Sequence, residues 1–333
     1  MIITKTPYRV SFFGGGTDYP AWFMENGGRV ISATIDKYCY ITCRSLPPFF
    51  DHDLRVAWSK IENTDSIDRI AHPAVREGLR HMGIKRGISI THEGDLPART
   101  GIGSSSSFMV GLLNALYAYK GRVVDKKTLA KQAIHVEQNL INENVGCQDQ
   151  IAASFGGVNR IEFGPYGFDV SPMVLSRKTL DALEEHMMLF FTGVSRTASE
   201  IVDEQLSTMA NKRQEMLQVL GLVDQAEDLL TSGDIESFGR LLDETWKLKR
   251  MLSKQITNAH IDEVYEAGLE AGALGGKLLG AGGGGFVLFL CPPELQNSVK
   301  EKLKKLLYVP VKFEFGGTRL IYYKPDMMGD GNE

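Results

Sequence analysis

Cysteine is scarce in this 333-residue chain: there are four, Cys39, Cys43, Cys147 and Cys291, and only the first two lie near each other. That pair falls in a segment that reads as a strand, so reduced thiols are expected and a disulfide framework is not supported. The seven histidines are scattered, none at zinc-ligand spacing to another His or Cys, which argues against a structural metal. No apolar run approaches the roughly 20 residues needed to span a bilayer. Residues 1–7 lack the basic, apolar and small-residue regions of a signal peptide, so the cytoplasm is the expected location. Charge of one sign is also lacking. At a net charge of −4 there is neither a nucleic-acid-binding tract nor a polybasic membrane face.

What remains is an ordinary soluble composition, 43% hydrophobic and 23% charged, with length enough for two domains that each bury a core. The first half mixes strands and helices. Residues 30–35 and 38–42 are β-branched and aromatic-rich, residues 87–91 alternate, and all three read as strands. Residues 104–119 read as a helix, because Phe108, Leu112 and Leu116 recur four apart with Met109, Leu113 and Tyr117 beside them. Asp125 is placed to cap a second helix that runs to about Ile141, with Leu129, Ala133, Val136 and Leu140 as its apolar stripe. From about 197 to 271 the pattern is mostly helical, interrupted at Ser232-Gly233-Asp234 and at Thr257-Asn258, where Asp234 and Asn258 are candidate caps. A glycine-rich stretch follows, then a strand at 286–291, a helix at 293–307, and strands near 311–315 and 319–323. The texture changes near 164–185, which gives expected domains at 1–170 and 186–325, with a disordered tail after Lys324.

Three segments carry chemistry. Gly101-Ile102-Gly103-Ser104-Ser105-Ser106-Ser107 leads straight into a helix. Its glycines let backbone amides approach an anion, the helix start offers unpaired N–H groups, and the serines add hydroxyls. A flexible loop with a serine cap would need only one serine, and four in succession have poor helix propensity. Phosphate binding is therefore the favoured reading. Glu137 sits at the edge of an apolar helix stripe, where a carboxylate is costly unless paired with a base or bound to a cation. Asp149, in Gly146-Cys147-Gln148-Asp149-Gln150, opens a short helix that Gly156 can end. An aspartate there serves either the helix dipole or a site.

Near the C-terminus, Gly280-Ala281-Gly282-Gly283-Gly284-Gly285 is a formal GxGxxG, which alone is weak. A dinucleotide fingerprint follows a strand and opens a helix. Here a helix is expected before the run and a strand after it, so an oxidoreductase of that kind is excluded. A P-loop also fails, because Gly276-Lys277 is followed by Leu278. The run reads as a packed loop that lets another backbone or a ligand come close.

Taken together, these segments resemble the GHMP kinases, the family of galactokinase and of homoserine, mevalonate and phosphomevalonate kinases. Its three glycine-bearing motifs appear in order, first as Thr6-Pro7-Tyr8-Arg9-Val10-Ser11-Phe12-Phe13-Gly14-Gly15-Gly16-Thr17-Asp18, then as the serine turn, then as residues 277–285. The resemblance implies an α+β fold of two domains, the N-terminal one of the ribosomal-protein-S5-like α/β type and the C-terminal one α+β, with the active site between them. It implies ATP and Mg²⁺. Gly101, Gly103, Ser104, Ser105 and Ser106 would hold the ATP phosphates, with Gly280, Gly282 and Gly283 supporting that pocket. Ser105 and Glu137 would bind the metal, and Asp149 would be the catalytic base with Arg9 beside it.

Galactokinases carry Glu-His where this chain has Gly15-Gly16. The Gly-Gly-Gly-Thr-Asp form resembles bacterial D-glycero-D-manno-heptose 7-phosphate kinases and, more distantly, fucokinases. That implies phosphorylation of an anomeric hydroxyl on the route to nucleotide-activated heptose for surface polysaccharide. Asp18, Gly15, Gly16 and Thr17 would then meet the sugar, and Lys5 and Arg196 its phosphate, with Lys247, Lys249 and Arg250 as further candidate cations. The competing readings are a kinase for free fucose or galactose and a catalytically silent ligand-binding relative. The expected partners are ATP and a sugar or sugar phosphate, with no nucleic acid and no membrane.

Overall fold

The computed structural model describes residues 1–193, 210–253 and 255–325. The N-terminal half is built on an eight-stranded sheet. Its path runs β12 (Arg319–Tyr323), β1 (Ile2–Phe13), β2 (Gly28–Ser45), β5 (Ile88–Gly94), β3 (Leu54–Ala57) and β4 (Ile61–Thr64), and β2 also pairs with β6 (Val158–Gly164), which pairs with β7 (Gly167–Pro172). All pairs are antiparallel except β3 with β5. Strand β2 is 18 residues long because it serves two partners, β6 along its first part and β5 along its last.

Helices cover this sheet: α1 (Pro20–Asn26), α2 (Pro73–Met82), α3 (Ser104–Tyr119), α4 (Lys126–His135) and α5 (Gln148–Phe155). The expected period in α3 is realised: Phe108, Met109, Leu112, Leu113 and Leu116 are all buried. Each such side chain contributes about 1.5–3 kcal/mol by leaving water. Asp125 caps α4 as its position predicts, accepting from the Thr128 amide at 2.9 Å. The helix does not continue regularly to Ile141, because residues Val136–Leu140 widen into a π turn. Such turns insert a residue and re-aim a side chain, here Glu137.

In the C-terminal half, α6 (Arg177–His186) leads to β8 (Met187–Phe191), and α7 (Arg213–Ser232), α8 (Ile235–Leu252) and α9 (Ala259–Glu270) follow. Asp234 and Asn258 cap α8 and α9 through the Ser237 and Ile261 amides. A four-stranded antiparallel sheet joins β11 (Leu307–Val309), β8, β10 (Phe286–Leu290) and β9 (Gly275–Leu278).

Three expectations are corrected here. The glycine run follows the strand β9, not a helix, so it is the turn of a hairpin whose second arm is β10. No helix opens after it, so the exclusion of a dinucleotide fingerprint stands. The helix expected over 293–307 is shorter, α10 (Gln296–Lys302) after a 3₁₀ turn at Pro293–Leu295. Residues 311–325 leave the second sheet: Phe313 bridges to Ile35 and β12 pairs with β1, so the end of the chain closes the first sheet. The two halves meet through apolar contact, with Phe12 and Phe13 at the end of β1 edge-on to Phe238 of α8 at 5.6 and 5.0 Å. Among the described residues, no helix is long and apolar enough to cross a membrane.

Candidate active site

Strand β1 delivers Arg9 to the serine turn. Its amide donates to the Ile102 carbonyl at 3.1 Å, and its Nη1 donates to the Gly101 carbonyl at 2.6 Å. The remaining donors form a fork on Asp149, Nε to Oδ1 and Nη2 to Oδ2, each at 2.7 Å. Such paired, charge-assisted bonds fix the carboxylate in its plane. Arg9 is buried, but the Asp149 side chain keeps 22% of its exposure. The carboxylate is held yet reachable.

Asp18 lies beneath it. Its Oδ1 accepts from the Gly16 amide at 3.0 Å, its Oδ2 from the Gln148 amide at 3.3 Å, and its carbonyl from the Cys147 amide at 3.0 Å. A side chain at Gly146 would come within 2.0 Å of Asp18 Oδ2, so only glycine lets this loop wrap the carboxylate. Burial, helped by the negative charge of Asp149, raises the Asp18 pKa. Gly15 faces Ser11 Oγ and Gln148 Nε2, 3.7 and 3.9 Å from where its Cβ would be. Ser11 Oγ and Gln148 Oε1 are buried without a hydrogen-bond partner among the described residues, two polar atoms that no motif singles out. Thr17 does not face the site as expected. Its hydroxyl donates to the Gly14 and Arg29 carbonyls and accepts from the Arg29 amide, so it pins the turn from inside.

At the start of α3 the four serines divide their tasks. Ser104 Oγ accepts from the Arg99 amide, Ser106 Oγ donates to Glu137 Oε2 at 2.9 Å, and Ser107 Oγ donates to the Pro7 carbonyl. Ser105 is exposed. The serine bonded to Glu137 is thus Ser106. Gln150 Nε2 donates to the same Glu137 oxygen. Glu137 is buried with no cation paired to it among the described residues, and desolvation pushes its pKa up to about 8.

The third motif packs against the second. Gly101 and Gly280 approach so closely that a Cβ on Gly101 would lie 2.2 Å from the Leu279 carbonyl oxygen, and one on Gly280 would lie 2.5 Å from the Gly101 Cα. The Gly283 amide donates to the Ile256 carbonyl, and a Cβ on Gly282 would strike Ile256 at 2.7 Å. These glycines therefore seat the hairpin turn behind the phosphate-loop candidate. Two lysines come with it. Lys249 of α8 donates to the Gly280 carbonyl at 2.5 Å, and the buried Lys277 of β9 donates to the Phe12 carbonyl at 2.9 Å.

The remaining candidates are elsewhere. Lys5 lies 3.6 Å over the Tyr38 ring and in register with Arg319, four residues back along β1 from Arg9 and not among the side chains gathered at Asp149. Lys247 pairs with Asp243 and Arg250 with Asp262. Arg196 lies outside the described residues. The burial of Lys277 is not legible from its glycine neighbours; the apolar strand that follows the run is the signal for it.

Comparison with known proteins bears on this geometry. The GHMP kinases N terminal domain matches residues 69–157 and the GHMP kinases C terminal domain residues 226–309, together more than half of the chain. D-glycero-alpha-D-manno-heptose 7-phosphate kinase of Campylobacter jejuni is 26% identical over 318 residues, which cover 91% of this chain and 93% of that protein. L-fucokinase/L-fucose-1-P guanylyltransferase of Bacteroides fragilis is 26% identical over 346 residues, 91% of this chain but 35% of that longer protein. Among solved structures, a D-glycero-D-manno-heptose 1-phosphate kinase from Bacteriodes thetaiotaomicron has a TM-score of 0.81 at 23% identity, covering 97% of this chain and 100% of that one, a likeness of fold.

Proposed function

Since the chain belongs to the GHMP kinases, which use ATP, we propose that it phosphorylates the anomeric hydroxyl of D-glycero-D-manno-heptose 7-phosphate to give the 1,7-bisphosphate. The observation that carries the chemistry is the fork of Arg9 on Asp149 beside the serine turn. The acceptor reading rests on Gly15-Gly16 in place of Glu-His, and on likeness to the Campylobacter enzyme along most of both chains.

In this account the amides and hydroxyls of Gly101, Gly103, Ser104, Ser105 and Ser106 hold the β- and γ-phosphates at the positive end of α3. Gly280, Gly282 and Gly283 keep that loop in place from the second half. Arg9 occupies one lone-pair direction on each Asp149 oxygen and leaves others free to accept the proton of the attacking hydroxyl. Asp18 and the turn at Gly15 and Gly16 orient the sugar, so attack is in line with the γ-phosphorus. Arg196 remains a candidate for the acceptor's own phosphate, whereas Lys5 lies over Tyr38, away from the fork.

Mg²⁺ fits the residues present. Glu137 is a buried carboxylate with no cation paired to it among the described residues, and Ser106 and Gln150 both donate to its Oε2. Ser105 at the helix start is the second candidate ligand. Among the described residues there is no group of three or more acidic, His or Cys side chains for a metal, in keeping with an ion whose other ligands are nucleotide phosphates and water. When bound, Mg²⁺ neutralises charge on the phosphate oxygens. A kinase for a free sugar is the second reading, favoured by the equal identity to the fucokinase-bearing relative. Product analysis by ³¹P NMR with heptose 7-phosphate, fucose and galactose tests both: an anomeric phosphate ester formed only from heptose 7-phosphate is expected, and one formed only from a free sugar contradicts the proposal.

A further inference from the structure

Lys249 and Lys277 are two basic side chains beside the site whose place in it the fork and the serine turn leave open. Both come from the C-terminal half. Each ammonium has one protein acceptor, a backbone carbonyl, and neither has a carboxylate within ion-pair distance among the described residues. Lys277 is only 2% exposed, so water cannot stand in freely for the missing acceptors.

Their surroundings make this costlier. Lys249 reaches Gly280, Gly280 abuts Gly101, and Gly101 accepts from Arg9, so two glycines link the lysine to the fork on Asp149. Lys277 holds the Phe12 carbonyl, two residues before the turn that carries Asp18. Burial, then repulsion from Lys249 and Arg9, pushes the Lys277 pKa down, with Asp18 only partly offsetting it. Three basic groups thus converge beside Asp18 and Asp149, and Asp149 is already committed to Arg9. Like charges gathered in this way either give up a proton or take an anion among them, and a bound dianion would hold both lysines charged.

We propose that Lys249 and Lys277 form a phosphate-binding pair beside the Arg9–Asp149 fork, taking either the phosphoryl group in transfer or the phosphate carried by the acceptor. Both sources present the same chemistry, a dianion with oxygens that accept from ammonium groups. The pair differs from the serine turn in being supplied by the other half of the molecule, so it completes the site only when the hairpin turn is seated on Gly101. The proposal rests on the kinase reading and not on the identity of the acceptor.

The test is a calorimetric titration of inorganic phosphate into the full chain saturated with Mg·ADP, for the unaltered protein and for Lys249→Met, Lys249→Arg and Lys277→Met. Lys249→Met is expected to weaken phosphate binding by about tenfold or more, the scale of one charge-assisted contact, with ADP affinity changed less than about twofold and with Arg restoring part of the loss. Lys249 is only partly buried whereas Lys277 is fully enclosed, so Lys249→Met disturbs packing less and decides the matter even if Lys277→Met fails to fold. Phosphate affinity unchanged in Lys249→Met, no phosphate binding by the unaltered protein, or a parallel fall in ADP affinity would each overturn the proposal. The kcat/KM values of the same variants separate the sources: an equal loss with phosphorylated and free acceptors assigns the group in transfer, and a loss confined to the phosphorylated one assigns the acceptor's phosphate. If only free sugars are used, the proposed acceptor is wrong while the titration still reads the lysine pair.

Discussion

Asp149 and Arg9, 140 residues apart in sequence, meet through two parallel bonds of 2.7 Å, and the same guanidinium reaches on to the Gly101 carbonyl. One side chain therefore sets the distance between the acid at the start of α5 and the turn at the start of α3. Asp149→Asn removes the proton acceptor while leaving the shape. Turnover is expected to fall by about 10²-fold or more, with Mg·ADP affinity and melting temperature nearly unchanged, as steady-state kinetics, calorimetry and thermal unfolding would report.

Arg9→Lys keeps the charge but not the fork. A lysine cannot hold both Asp149 oxygens and Gly101 together, so kcat should fall with little change in the KM for ATP. A fall in ATP affinity alone would place Arg9 on the nucleotide instead.

Gly101→Ala tests the seat of the hairpin turn. Gly101 has a φ of +82°, and its Cβ would overlap the Leu279 carbonyl. The expected cost is about 1–3 kcal/mol of stability from overpacking and strain, together with loss of ADP binding. Retained ADP affinity in a destabilised variant would show that this contact serves folding only.

Much of this arrangement could be read from residue order, and the exceptions have physical causes. The α3 stripe and the caps Asp125, Asp234 and Asn258 follow from local periodicity and capping chemistry, which do not depend on distant residues. The strand β9 could not be read, because Gly275-Gly276-Lys277-Leu278 has little strand propensity and is extended only through its pairing with β10. The inward turn of Thr17 depends on the Arg29 backbone, and the return of β12 to β1 spans the whole chain. Arg9 and Asp149 were associated through family resemblance; neither periodicity nor spacing would have joined them.

Glu137→Gln separates a metal ligand from a buried salt-bridge partner. No described cation pairs with Glu137, so the apo protein should unfold at nearly the same temperature. The Mg²⁺ concentration for half-maximal rate should rise about tenfold or more, the scale of one charge-assisted contact. Lost stability with unchanged Mg²⁺ dependence would contradict the assignment.

Lys249 predicts a pH dependence. Burial, then the positive charge of Arg9, lowers its pKa to about 8, against a weaker opposing pull from Asp18. Because the protonated form binds phosphate, kcat/KM, which reports the free enzyme, should fall as pH rises through about 8. Stability changes with the opposite sign: between about 8 and the ordinary lysine range the unfolded chain binds more protons than the folded one, so this group's contribution to stability grows with pH. Lys249→Arg should remove the basic limb from the rate profile, and a limb that persists in this variant belongs to another group.

The most direct test of the whole account is kcat/KM for heptose 7-phosphate against free heptose, galactose and fucose at one salt concentration. A dianion held by paired cations contributes charge-assisted bonds of about 1.5–3 kcal/mol each, and 1.36 kcal/mol corresponds to about tenfold in rate. The account predicts that heptose 7-phosphate is preferred over every free sugar by on the order of a hundredfold. Equal or better use of a free sugar would contradict it.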